Sequence, residues 1–352
     1  MSTSDINDRF RQPSGSLDLA ALLARRGIGQ PAAMSGITPY VQMHLAGLAP
    51  EGRPVGVFLL LGPSGTGKTK TVEALAELLH GTERHVLRID CGEFQMEHEV
   101  AKLIGAPPGY LGHRETHPLL TQQKLNSVTS ERSNLSLVLF DEIEKAASSL
   151  TRLLLGVLDK ASLRLGDNTN VNFEKSIIFL TSNLGARDML NYLKPAFGFQ
   201  KGDGRTEEET SAKLQAIGVA AVKKRFAPEF VNRVDSVITY QPLSQPVLDQ
   251  ILSLQLTEMQ RHIQRRLGSR AFHLEVTRAG RQFLIERGSS EEFGARELKR
   301  TLHRMLFHPL AAMMVDGDVP PRATVRIDAG RDRTALKFRV RQPMMQVLLP
   351  TG

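Results

Sequence analysis

The chain has 352 residues, 41% hydrophobic and 23% charged, with one cysteine and no tryptophan. That length carries one large domain and one small one with ample buried core, and a lone thiol, Cys91, excludes an internal disulfide framework and suits a reducing, cytoplasmic setting. The net charge of +8 raises nucleic acid as a partner, but the basic residues fall in short clusters at 25–26, 223–225 and 261–266 that suit solvated helix faces. With only 4 tyrosines, an aromatic base-stacking platform is not expected either. The longest apolar runs, such as 57–61 and 177–180, are far too short to span a bilayer, so no membrane association is expected.

Residues 1–20 are rich in Ser, Asp, Arg and Gln and read as a mobile tail ahead of a large domain over 21–242. Apolar runs at 57–61, 85–90, 137–141, 176–181 and 236–240 alternate with helical patterns. This predicts an α/β fold, a parallel sheet with helices on both faces. The first four runs end at polar residues, as strands feeding an active-site edge do. Residues 196–212, rich in Gly and charge, predict an exposed insertion. After Pro242, Ser244 is placed to cap a helix over 245–267, with Leu248, Leu252, Met259 and Ile263 on one face and Gly268 closing it. Further helices are predicted over 277–287 and 296–315, then strands at 324–327 and 336–340. Residues 243–343 thus form a smaller, mainly helical lid domain with a short sheet, and 344–352 a tail.

The strand at 57–61 runs into Gly62-Pro63-Ser64-Gly65-Thr66-Gly67-Lys68-Thr69, and a helical pattern follows. Glycines let backbone amides turn towards phosphates at a helix N-terminus. Lys68 supplies a point charge to the β- and γ-phosphates, and Thr69 a hydroxyl for Mg²⁺, so ATP and Mg²⁺ are the expected ligands. A phosphate loop also needs a metal-binding carboxylate and a group that activates water. Asp141 and Glu142, at the end of a hydrophobic strand, supply both; an acidic pair capping the next helix is the plainer alternative. The strand at 177–181 ends in Ser182-Asn183, and the residues alone leave open whether Asn183 positions the water or only shapes a turn.

The chain resembles the AAA+ ATPases of the Clp unfoldase and disaggregase group, specifically their second ATPase module. The matching segments run from Gly27-Ile28-Gly29-Gln30 to about Val340. They include the run from Leu103 to Gly112, Asp141-Glu142-Ile143-Glu144-Lys145-Ala146, Thr181-Ser182-Asn183-Leu184-Gly185, the run from Pro228 to Asp235, and Phe293-Gly294-Ala295-Arg296. The resemblance implies that Ile28 and Gly29 contact adenine and that Asn183 is the first sensor residue. Arg233 becomes an arginine finger acting on a neighbouring subunit, and Arg296 a second sensor in the small domain that also contacts nucleotide. A homohexameric ring is the implied active form.

Gly109-Tyr110-Leu111-Gly112, behind Pro107-Pro108, places one large aromatic between glycines. The residues fit either a packed turn or a gripping loop; in the family the loop lines a central pore and pulls extended polypeptide. Phe197-Gly198-Phe199 loosely matches the tripeptide with which peptidase-coupled relatives dock on a Clp-type peptidase ring, the plainer reading being that both rings fold back on the core. Three departures stand out. No substrate-recruiting domain or first ATPase module lies within these residues, so the force generator is expected to act alone. Segment 113–136 lacks the paired glycines that normally follow the pore motif, and Ala227 stands where many relatives carry arginine. The expected function is ATP-driven polypeptide threading; the alternative is a nucleotide-dependent interaction module or DNA-associated motor or switch.

Overall fold

The computed structural model describes residues 29–105, 118–193, 206–290, 294–330, 332 and 334–342. The two tails, Ile28, Tyr110, and the tripeptide Phe197, Gly198 and Phe199 lie outside the described residues. The chain divides into two compact units, Met1–Pro242 and Leu243–Gly352.

The first unit is built on five parallel strands: β1 (Gly56–Leu61), β2 (Leu87–Asp90), β3 (Ser136–Asp141), β6 (Ser176–Ser182) and β7 (Ser236–Thr239), in the order β2-β3-β6-β1-β7. Between β3 and β6 lies a short antiparallel hairpin, β4 (Ser162–Arg164) and β5 (Asn170–Asn172), that the sequence pattern does not reveal. Every residue of β1, β3 and β6 is buried, because successive side chains feed two separate cores. Val57, Leu59, Leu61, Val138, Phe140, Ile178 and Leu180 pack with Leu150, Leu154 and Val157 of the Ser148–Lys160 helix. Phe58, Leu60, Leu137, Leu139, Ile177 and Phe179 pack with Val72, Leu75 and Leu79 of the Lys68–His80 helix and with Ile37 and Val41 of the Pro31–Leu45 helix. Continuous apolar runs are thus the signature of a sheet covered twice.

Two expectations for this unit need correction. The insertion expected over 196–212 ends sooner, since Thr206 caps a helix over Glu207–Arg225. Its hydroxyl accepts from Glu209 N at 3.2 Å while Thr206 N donates to the Glu209 carboxylate at 3.0 Å, so charges that read as loop are a capping box at a favourable dipole end. β2 begins at Leu87, not His85, because His85 turns aside: its ring stacks on His80 at 5.2 Å and Nδ1 meets the Val128 and Thr129 carbonyls.

The second unit has helices over Gln245–Leu267, Arg278–Gly288, Ala295–Leu302 and His308–Val315, and a sheet β10-β9-β8. Here β8 (His273–Val276) runs parallel and β10 (Leu336–Arg341) antiparallel to β9 (Thr324–Ala329). β8 is absent from the sequence expectation. Ser244 does occupy the N-cap position, yet its side chain makes no capping bond. The helix expected over 296–315 is interrupted by a π-turn, His303–Phe307, in which His308 N–H bonds His303 O. Pro309, lacking an N–H, suits that break. The wider turn also corrects the drift of a strict four-residue repeat, so Leu298, Leu302, Leu306 and Leu310 all reach the core. No helix among the described residues is long and apolar enough to cross a membrane.

His80 gives this fold a measurable pH signature. It is buried, its Nδ1 lies 3.0 Å from Ser130 Oγ, and its Nε2 has no partner. Burial first, then the charge of His85, pushes it down from 6.5 to about 4. Above the unfolded value of 6.5 its contribution to stability is complete. As pH falls towards 4 the unfolded chain takes up a proton that the folded one refuses, which removes up to about 1.4 kcal/mol per pH unit. His80→Gln should therefore flatten the pH dependence of urea-unfolding free energy between 6.5 and 4 relative to the parent chain. Parallel slopes for the two proteins would contradict this origin.

Candidate active site

Strand β1 delivers the phosphate loop at the interior of the sheet. Gly62 has φ 143°, and a Cβ there would come within 2.5 Å of the Tyr240 carbonyl oxygen, so glycine alone fits. Gly65 and Gly67 hold φ of 73° and 106°, turning the chain around Pro63, Ser64 and Thr66 into the Lys68–His80 helix. The Thr66 hydroxyl braces the turn by donating to Pro63 O at 2.9 Å. Lys68 is buried, and its ammonium donates to Gly62 O at 2.6 Å, Pro63 O at 2.9 Å and Asn183 Oδ1 at 2.9 Å. Thr69 is half-buried on the first helical turn.

Parallel register brings the other expected groups to the same edge, with Asp90 beside Asp141 and Leu61 beside Ser182. Asp141 is buried; one carboxylate oxygen accepts from the Thr181 hydroxyl and the other pairs with Arg88. Thr181 also accepts from Glu142 N at 3.0 Å, so one hydroxyl fixes both acidic residues. Glu142 is held at φ 57°, a rare setting for a residue with a side chain, and it caps no helix with its carboxylate. That carboxylate accepts from Asn183 Nδ2 at 3.3 Å and pairs with Lys145, whose ammonium is held above its ordinary range chiefly by this hydrogen bond. Chemistry fixes the Asn183 amide orientation: its oxygen must face the ammonium and its nitrogen the carboxylate. The result is a chain of contacts from Lys68 through Asn183 to Glu142.

Five contributors were missed by sequence reasoning: Thr181, Arg88, Glu144, Lys145 and Gln30. Glu144 accepts from Asn183 N at 2.9 Å, and the buried Gln30 amide donates to Thr66 O at 3.3 Å and Gln241 O at 2.9 Å. Gln30 thereby fastens the segment of Gly29, whose φ is 62°, against the loop. Thr181, Glu144, Lys145 and Gln30 did carry a signal, lying within motifs already singled out; Arg88 carried none. Arg233 lies after the Pro228–Val231 helix, with Nη2 3.5 Å from Asp159 Oδ2. In the second unit, Arg296 lines a basic cleft of about 410 Å³ with Lys299, Arg300, His303, Arg304 and His308. Among the described residues no group of three or more His, Cys, Asp or Glu could hold a metal ion alone. The hydroxyl of Thr69 and carboxylate of Asp141 suit Mg²⁺, which takes one or two protein ligands and completes its shell with phosphate oxygens and water.

Known proteins resemble this chain over most of its length. Residues 53–237 match the AAA domain (Cdc48 subfamily), and residues 243–327 match the C-terminal D2-small domain of ClpB protein. The chain is 36% identical over 320 residues to the chaperone protein ClpB of Corynebacterium diphtheriae, covering 91% of this chain and 34% of that protein. It is 35% identical over 312 residues to the ATP-binding subunit ClpC of the ATP-dependent Clp protease of Staphylococcus saprophyticus, covering 89% and 36%. Among solved structures, the S. cerevisiae Hsp104:casein complex aligns with a TM-score of 0.76 at 27% identity, over 91% of this chain and 52% of that one. A closed-state Hsp104 structure with ATPγS and FITC-casein aligns with a TM-score of 0.75 at 25% identity, over 97% and 53%. The chain thus spans about a third of the curated relatives it matches and about half of the Hsp104 chains. It belongs to the AAA domain family, Cdc48 subfamily, and carries behind that domain a ClpB-type D2-small domain.

Proposed function

We propose that this chain hydrolyses ATP as a subunit of a homohexameric ring and uses the energy to thread unfolded polypeptide through a central pore. The observation that carries the hydrolytic part is the contact chain Lys68–Asn183–Glu142, which joins a phosphate-binding cation to a carboxylate suited to act as base. In this reading Lys68 and the loop amides hold the β- and γ-phosphates, and Asn183 and Glu142 orient a water beside them. Glu142 accepts the water's proton as its oxygen bonds to the γ-phosphorus and the bond to the β–γ bridging oxygen breaks, giving ADP and phosphate. Thr69 and Asp141 would hold Mg²⁺, which when bound would supply charge neutralisation along the triphosphate. Ile28 and Gly29 contact the adenine, and Arg296 reads the nucleotide from the small domain. Phosphoryl transfer depends mostly on positioning and charge, so Arg233 supplied by a neighbouring copy makes turnover depend on assembly, by roughly 10³–10⁵-fold.

The polypeptide substrate is supported by the casein named in the two Hsp104 structures, and Tyr110 is the side chain we assign to gripping it. The ClpC relative, named as a subunit of a protease, favours a peptidase ring as the receptor for Phe197, Gly198 and Phe199. The single, buried Cys91 suits a cytoplasmic setting.

Two measurements test the hydrolytic roles together. Lys68→Ala should weaken binding of a fluorescent ATP analogue roughly tenfold to a hundredfold, having lost a charge-assisted contact. Glu142→Gln should bind the analogue normally and release phosphate roughly 10²–10⁴-fold more slowly. Parental turnover in Glu142→Gln would remove it from the base role. For threading, Tyr110→Ala should unfold far fewer molecules of a tagged reporter for each ATP consumed. An unchanged ratio of unfolding to hydrolysis would defeat the pore assignment.

A further inference from the structure

The surroundings of Arg233 hold an arrangement that stability does not explain. The side chain doubles back over the short helix that precedes it, so that Nη1 donates to Glu229 O at 2.7 Å. Nη2 faces Asp159 Oδ2 at 3.5 Å, while Nε is buried with no hydrogen-bond partner. Asp159 is the penultimate residue of the Ser148–Lys160 helix, where the negative end of the dipole disfavours a carboxylate. The pair offers little in return. It is a single long contact, its side chains are 30% and 48% exposed, and ion pairs so open to solvent contribute little stability. The orphaned Nε carries a desolvation penalty besides.

What the arrangement does achieve is direction, since a carbonyl and a carboxylate confine a long, rotamer-rich guanidinium from two sides. We infer that Asp159 is a positioning residue that pre-orients Arg233 for action on the neighbouring subunit, an inference that rests on the trans role proposed above for that arginine. Holding the side chain near its working direction in the free subunit reduces the freedom it must lose on meeting a phosphate. The weakness of the pair decides between orientation and sequestration, because a contact this exposed yields readily to a triphosphate. Asp159 therefore aims the finger and does not restrain it.

Asp159→Asn tests this directly. It preserves side-chain size and removes a charge that the helix end disfavours, so the fold is retained. We expect kcat to fall about three- to tenfold with unchanged binding of fluorescent ATP, and Asp159→Glu to recover part of the rate. In the Arg233→Ala background the same substitution should cost nothing further. Mixing parental chains with chains carrying both Glu142→Gln and Asp159→Asn should show less turnover than mixing with Glu142→Gln alone, since the defect appears in the neighbour's site. A raised or unchanged kcat, or an equal loss without Arg233, overturns the positioning role. Parental turnover in Arg233→Ala itself would instead overturn the trans-acting finger.

Discussion

A buried ammonium governs the geometry of this site. Lys68 has almost no access to water, and a cation in that position must find oxygen atoms of the protein or forfeit its solvation. It finds two carbonyls of the loop that precedes it and the amide of a residue 115 positions later. The first two contacts hold the loop wound about the side chain, and the third ties the loop to the end of β6. A triphosphate entering the loop competes for that same ammonium. Asn183 rests on this ammonium at one end and on Glu142 at the other, so in the proposed mechanism it is the group whose partner would change when phosphate arrives. The two roles proposed for this edge, sensing phosphate and positioning the base, would then share a single amide.

The sheet makes this convergence inexpensive. Because β1, β3 and β6 are neighbours in parallel register, Gly62, Glu142 and Asn183 leave it at the same level, with no long loop needed to gather them. Burial on both faces removes the freedom of these strands to slip, since each residue is fixed by one of two cores. Thr181 shows how far the arrangement extends into the strands themselves: its hydroxyl is a ladder residue's side chain, yet it fixes the Asp141 carboxylate and the Glu142 backbone N–H at the adjacent strand's end.

The strands and the phosphate loop were legible because their signals are local: apolar runs with polar ends, and a glycine spacing whose left-handed backbone the structure requires at Gly65 and Gly67. The extra helix at Pro31–Leu45, the β4–β5 hairpin and β8 were not, since each is short or weakly patterned and owes its form to what it packs on. The acidic start of the Glu207–Arg225 helix was misread because three consecutive glutamates look like loop until Thr206 is recognised as their cap. In the site, the residues proposed to touch nucleotide announced themselves by motif, whereas the contacts made by their supports did not. Arg88 and Gln30 meet Asp141 and Thr66 only through tertiary contact across 53 and 36 residues, a relation that no local pattern encodes.

Gln30 has a practical corollary. Its single amide spans from Thr66 in the loop to Gln241 beyond β7, closing a circuit between the beginning and the end of the large unit. The clasp lies ahead of the first strand in the chain, so the fastening of the phosphate loop reaches beyond the sheet. A recombinant fragment begun at β1 would keep every residue of the phosphate loop and still lack the side chain that ties Thr66 to Gln241.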